Sequence, residues 1–220
     1  MAIVNRSDWW VPDSDRKALS IVLSEVSDLD VAMKYVTNTH CALQAGGNVG
    51  IWPIAMTELF DHVYTWEPDQ ENYLALCANV VRRVRGCIEG RRLIALPFAL
   101  GSDHDICDVE VYEPGNIGAH QTIFGTGDVL VVTMDDVMYA GDLDEGVGLI
   151  QLDIEGHEHE ALLGARRIIE KHHPVVMLEL KGLGTRFGYP DLATYALMES
   201  WGYSVAERIH RDVIFVWNKP

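Results

Sequence analysis

The sequence predicts an open α/β fold: a mostly parallel, Rossmann-like sheet with helices on both faces, closed by an antiparallel hairpin. Three observations carry this. Apolar runs of strand length alternate with stretches of helical period from residue 41 onward. Gly46-Gly47 follows the first such run at once, as a tight strand-to-helix turn requires. The last two runs, 203–208 and 213–217, are separated only by residues 209–212, too few for a crossover helix, so they pair antiparallel.

The elements follow in order. Between 13 and 36, Leu19, Val22, Leu23 and Val26 recur at helical spacing, and Ser27 with Asp30 offers a second capping box, so two short helices are expected. Cys41-Ala42-Leu43-Gln44-Ala45 reads as a buried parallel strand. Helix 50–60, strand 62–66, helix 69–82 and strand 92–96 come next. Residues 103–127 read as irregular, with short strands possible at 109–112 and 129–133. Alternation resumes with strand 147–152, helix 157–171, strand 175–180 behind Pro174, and helix 190–201. This divides the chain into an N-terminal helical extension or cap, 1–40, and a main domain, 41–220.

Composition narrows the function. Hydrophobic residues make up 48% of the 220, enough for a real core. The formal charge of -16 disfavours broad docking on nucleic acid or anionic membrane. A basic run, Arg82, Arg83, Arg85, Arg91 and Arg92, reads as a solvated helix end and loop. Cys41, Cys77, Cys87 and Cys107 form neither a CxxC pair nor zinc spacing, and MAIVNRSDWW has no apolar leader core, so a cytoplasmic protein with reduced thiols is expected. Trp9-Trp10-Val11-Pro12 is either a lid or a contact with a partner chain, which leaves a homodimer open.

Ligands of such sheets bind beyond the carboxyl ends of the strands. There the first strand offers Ala45-Gly46-Gly47-Asn48-Val49-Gly50, and the second Trp66-Glu67-Pro68-Asp69. Glycines let backbone approach a ligand, and an acid after the second strand can accept hydrogen bonds from two ribose hydroxyls. Together they indicate a nucleoside cofactor. The glycine pattern is compressed relative to the dinucleotide fingerprint, and the closing hairpin departs from six parallel strands; both favour S-adenosylmethionine over NAD.

The runs Gln44 to Gly50 and Trp66 to Asp69, with Asn72 and Asn79, resemble the start of the FkbM-type methyltransferases. Thr133-Met134-Asp135-Asp136, Leu152-Asp153-Ile154-Glu155-Gly156-His157-Glu158, Leu162-Leu163-Gly164-Ala165 and the run from Pro174 to Glu179 resemble their later blocks. The resemblance implies a class I methyltransferase fold with a seven-stranded sheet whose last strand is antiparallel. It implies cofactor contacts from Ala45, Gly46, Gly47, Asn48 and Gly50, with Glu67 and the adjacent Pro68 at the ribose. Phe98, Ala99 and Leu100 would border the adenine, and Asp153 would face the methionine part or the acceptor pocket. Gly47 stands where alanine is common, which should only loosen that turn, and His157 where a small or aromatic residue is commoner.

An alcohol acceptor loses a proton, which a histidine suits best. His120 and His157 are the candidates; His172 and His173, ending a helix, complement its dipole instead. Glu179 and Lys181, after the fifth strand, could pair across the pocket mouth or touch the acceptor. Asp153, Glu155 and Glu158 would suit a hard cation, but carboxylates at a helix start are already favoured by the dipole, and no metal is expected. The loop 182–189, with three glycines and two aromatics, is a flap or a plain connection. The expected activity is O-methylation of a hydroxylated small molecule or sugar. A nucleic-acid methyltransferase, an NAD-dependent oxidoreductase and a non-catalytic binding module are the alternatives.

Overall fold

A computed structural model describes residues 2–84, 93–136 and 145–218. The chain opens with a hairpin, β1 (Ile3–Arg6) and β2 (Trp9–Pro12), followed by short helices α1 (Ala18–Glu25) and α2 (Leu29–Ala32). The main run is β3 (Cys41–Ala45), α3 (Ile51–Met56), β4 (His62–Trp66), α4 (Gln70–Arg83) and β5 (Leu93–Leu96). A small-sheet segment follows: β6 (Ala99–Leu100), β7 (Asp105–Val111), β8 (His120–Phe124) and β9 (Val129–Val132). Then come β10 (Val147–Leu152), α5 (Glu158–Leu163), α6 (Arg166–His172), β11 (Val175–Glu179), α7 (Asp191–Ser200), β12 (Tyr203–Ile209) and β13 (Asp212–Trp217).

Seven strands form the large sheet in the order β12-β13-β11-β10-β3-β4-β5. Pairings from β11 through β5 are parallel; β13 is antiparallel to both its neighbours. Every residue of β3 and β10 is buried, because helices cover both faces of a parallel sheet and leave no side for water. From β3 the chain steps outward through β4 to β5, then returns to β10 on the other side of β3. That reversal opens a crevice at the carboxyl ends of β3 and β10.

The stretch expected to be irregular carries most of a second sheet, ordered β6-β9-β7-β8. Its strands alternate as strands should. Cys107 and Val131 point inward, while Asp105, Asp108 and Glu110 face out or lie at the edge. The acidic face thins the apolar signal, which is why only fragments of these strands were legible. The helix expected over 157–171 is two helices. A methyl group on Gly164 would run into the Gly101 carbonyl, and the Asp135 carboxylate takes the Arg167 and Ile168 N–H groups at 3.0 Å each, starting α6 afresh. Helix α3 also stops at Met56, short of 60.

The N-terminal segment differs from expectation too. It begins with a hairpin rather than a helix, and no side-chain cap forms at Ser27. Asp15 caps α1 instead, accepting from the Ala18 N–H at 3.0 Å, while Asp28 binds His210 at 2.7 Å. Trp9 is buried against the chain itself, under the Arg83 guanidinium at 3.8 Å. Arg82 and Arg83 pair with Asp8 at the hairpin turn; Arg85, Cys87, Arg91 and Arg92 lie outside the described residues.

Asn79, fully buried in α4, holds the hairpin to the body. Its Oδ1 accepts the Trp10 N–H at 2.8 Å, and its Nδ2 donates to the Trp10 and Val49 carbonyls at 2.7 and 2.8 Å. Asn79→Ala orphans these groups and should cost about 1–3 kcal/mol in urea unfolding. Hydrogen exchange of Trp10 should rise with it. Unchanged exchange at Trp10 contradicts the clamp.

Candidate active site

The strand ends are laced together one residue beyond the sheet. The Asp153 N–H donates to the Ala45 carbonyl at 3.1 Å, those of Gly46 and Gly47 donate to Trp66 at 3.1 and 2.9 Å, and that of Glu67 donates to Leu96 at 3.0 Å. Gly46 adopts φ +83°, and any side chain there would strike the Asp153 carbonyl, so only glycine lets the two central strands meet this closely. Gly47 does not loosen the turn as expected. A methyl group at that position would lie 2.7 Å from Leu76 Cδ1 and 2.8 Å from Thr65 Oγ1, so a larger residue would push those side chains aside.

Beneath the loop, buried Gln44 donates to the Ala45 and Gly46 carbonyls at 3.1 Å each and accepts from the Thr65 hydroxyl. Above it sits Glu67. Its Oε2 accepts the Asn48 N–H at 2.6 Å and its Oε1 the Asp69 N–H at 2.9 Å. Glu67 is 6% exposed, and burial pushes its carboxyl up to about 7.

These loops border a cleft of about 850 Å³, its open mouth included, a size suited to a nucleoside-bearing ligand. Of the residues expected at a cofactor, Ala45, Gly46, Gly47, Asn48, Glu67, Pro68, Phe98, Ala99 and Asp153 line it, as does Leu100. Gly50 does not: at φ +95° it shapes the turn into α3 from behind. Trp52, Ile117, Gly118 and Thr122, none of them expected at a cofactor, also line the cleft, as does Asn72, which was read only as part of the family resemblance. Several of these come from the small sheet and the turn before it, where no motif could be read.

Among the expected catalytic residues, His120 and His157 line the cleft; Glu179 and Lys181 do not. His120 Nδ1 lies 2.9 Å from Asp69 Oδ2, and that hydrogen bond raises its pKa above the ordinary value. Against the penalty of burial, the same bond and the Asn72 N–H at 2.8 Å hold Asp69 below the usual carboxylate range. Asp69 therefore caps α4 and orients His120 together. His157 is different. Its Nδ1 meets Glu160 at 3.0 Å and its Nε2 the Thr122 carbonyl at 3.0 Å, and its ring lies between Phe124 and Phe187. With both nitrogens engaged and a ring stacked on each face, His157 joins the small sheet to the 182–189 loop.

Glu179 and Lys181 meet behind the cleft. The Lys181 ammonium contacts Glu179, bonds Glu155 at 2.9 Å and lies 3.9 Å from Asp153. Asp153, Glu155 and Glu179 are thus the carboxylates that converge, but Lys181 already supplies their cation. Glu158, considered above as a ligand, faces backbone: its Oε1 accepts the Ile154 and Gly156 N–H groups at 3.0 and 3.2 Å. The 182–189 loop contains a turn of 3₁₀ helix, Leu183–Phe187, between two left-handed glycines.

The crevice at the switch point, the laced glycine loop and the acid after the second strand define a class I, Rossmann-like methyltransferase fold. The methyltransferase FkbM domain model matches residues 46–205. The chain belongs to the FkbM methyltransferase family. It is similar to the methyltransferase FkbM of Methylobacillus flagellatus KT, with 24% identity, TM-score 0.55, and coverage of 81% of this chain and 44% of that one. This chain thus spans less than half the length of that protein. The precorrin-6y C5,15-methyltransferase of Geobacter metallireducens GS-15 shares the fold at 13% identity, TM-score 0.50, over 98% of this chain and 97% of its own. Among curated proteins none matches. Among the described residues no helix is long and apolar enough to cross a membrane.

Burial of Glu158 pushes its carboxyl up to about 7, so the folded state binds its proton more tightly than the unfolded chain does. Stability from this group is therefore lost as pH rises from about 4.5 to about 7. Glu158→Gln keeps one acceptor and cannot titrate. In urea unfolding across pH 5–8, the wild type should lose stability relative to this variant as pH rises. Parallel curves contradict the assignment.

Proposed function

We propose that the protein transfers a methyl group from S-adenosylmethionine to a hydroxyl oxygen of a small hydroxylated acceptor, a sugar or a secondary metabolite. The observation that supports this most is buried Glu67, with one backbone donor on each carboxylate oxygen and its remaining lone pairs available at the cleft. The donor set fits an adenosyl group. Glu67 would take the two ribose hydroxyls, with Pro68 beside it, and the backbone of Ala45, Gly46, Gly47 and Asn48 would lie against the ligand. Phe98 and Ala99, with Leu100, would wall the adenine, and Asp153 would face the amino-acid end or the acceptor.

When bound, S-adenosylmethionine supplies an electrophilic methyl on a cationic sulfur. The chain's own residues do the rest by position. His120 would accept the hydroxyl proton on Nε2, which no described residue engages, while Asp69 on Nδ1 keeps the ring in the required tautomer and stabilises its protonated form. Family membership favours methyl transfer over hydride transfer, and the formal charge of -16 weighs against a nucleic-acid acceptor. Work in a reducing cytoplasm belongs to the same proposal.

Two measurements test it. In calorimetry at pH 8, Glu67→Gln should weaken S-adenosylmethionine by about tenfold, through loss of a charged acceptor. The gap should close below pH 6, where the wild-type carboxyl is protonated; equal affinity at pH 8 refutes the ribose assignment. Asp69→Asn removes the charge that raises His120, so the acidic limb of the rate profile should move to lower pH. An unmoved limb refutes His120 as the base.

A further inference from the structure

His157 is 3% exposed, and separate elements meet on its ring. Phe124, the last residue of β8, stacks on one face with centroids 4.2 Å apart and planes 12° apart. Phe187, from the 182–189 loop, covers the other at 3.9 Å and 27°. The residue before the histidine makes room for this. Gly156 has φ +113°, and a methyl group there would lie 2.9 Å from the Leu183 carbonyl carbon and 3.0 Å from Phe187 Cε2, so the loop closes on His157 over a glycine. Arg186, beside Phe187, ties the same loop to the small sheet: its guanidinium lies 4.5 Å over the ring of Tyr112, just past β7.

The edge of the ring is engaged as fully as its faces. Nε2 lies 3.0 Å from the Thr122 carbonyl and Nδ1 3.0 Å from Glu160 Oε2. A carbonyl oxygen accepts and never donates, so Nε2 carries a proton; a carboxylate likewise accepts, so Nδ1 carries one too. A neutral imidazole has a single N–H and would turn a lone pair toward one of these acceptors. Both bonds form together only on an imidazolium. The surroundings suit that charge. Glu160 balances it, and the two phenyl faces turn the negative side of their quadrupoles toward it. The contacts from β8 and the loop, Thr122, Phe124 and Phe187, are neutral, and the loop's Arg186 lies over Tyr112 instead. A buried charge is costly unless it is paired and hydrogen-bonded, and this one is both.

What the ring holds is β8, an edge strand bonded within the small sheet to β7 alone. His120 and Thr122 stand two residues apart on it, hence on one face, and both line the cleft. Asp69 holds the His120 ring, and His157 holds the strand two residues further on. We propose that His157 is a positioning residue in its imidazolium form, a cationic clasp that fixes β8, and with it His120, against α5 and the 182–189 loop. The consequence for His120 as a base rests on the methyltransfer reading above.

The full chain, isotope-labelled, tests this through its histidine ring nitrogens in NMR at pH 7. Both nitrogens of His157 should show the protonated shift; one unprotonated nitrogen overturns the cationic clasp. Glu160→Gln removes the counter-charge, so the second proton should leave His157 at lower pH than in the wild type; a proton held equally well overturns the pairing. His157→Phe keeps a ring between Phe124 and Phe187 and removes both hydrogen bonds. In that variant amide exchange over residues 120–124 should quicken at least about tenfold. The titration of His120, raised in the wild type by Asp69, should move to lower pH. Unchanged exchange with an unmoved His120 titration overturns the positioning role. S-adenosylhomocysteine titrated against the wild type reads the cleft separately: its failure to bind removes the methyltransfer reading, whereas the ring spectrum decides the clasp.

Discussion

One buried carboxylate organises the rest of the site. Glu67 gathers the Asn48 N–H from the loop after β3 and the Asp69 N–H from the loop after β4, at 2.6 and 2.9 Å. Burying a carboxyl costs free energy, and its raised pKa reports that cost. The two backbone donors offset part of it, and in return the loops on either side of the crevice are held at one fixed separation. Asp69, placed by that contact, starts α4 and orients His120. The histidine's position in the cleft therefore depends on a glutamate to which it is not hydrogen-bonded.

A second constraint acts at Asp153. Close approach of its carbonyl to Gly46, with its N–H on the Ala45 carbonyl, locks the end of β10 against β3. Burial and the neighbouring Glu179 raise its carboxyl well above the ordinary range, while Lys181 opposes the shift. The residue stands in the wall between a nucleoside-sized cleft and a smaller acidic cavity.

Much of this was legible in the sequence where period and punctuation agreed. β3, β4 and β10 fall where their runs predict, because a strand covered on both faces is built mostly of apolar residues, with Gln44, Thr65 and Gln151 as buried polar exceptions. The glycine loop and Glu67 were found because their chemistry depends on local order along the chain. Of the small sheet only β9 and part of β7 were legible, since β7 carries acids outward and the sheet's core is little more than Ala99, Cys107 and Val131. The Asp69–His120 pair spans 51 positions and has no local signature. Asp135 caps α6 from another element, 33 residues away, which spacing rules for capping boxes do not describe. Gly47 was misjudged because its neighbours, Leu76 and Thr65, are brought to it only by the fold.

The FkbM family assignment and the Rossmann-like architecture set the frame, and the proposed chemistry turns on where an adenosyl group would lie within it. A crystal structure of the protein with S-adenosylhomocysteine tests that most directly. Both ribose hydroxyls should lie within hydrogen-bond distance of the Glu67 carboxylate, with the adenine against Phe98. A nucleoside bound elsewhere, or a Glu67 carboxylate turned wholly toward backbone while the ribose contacts other groups, would contradict it.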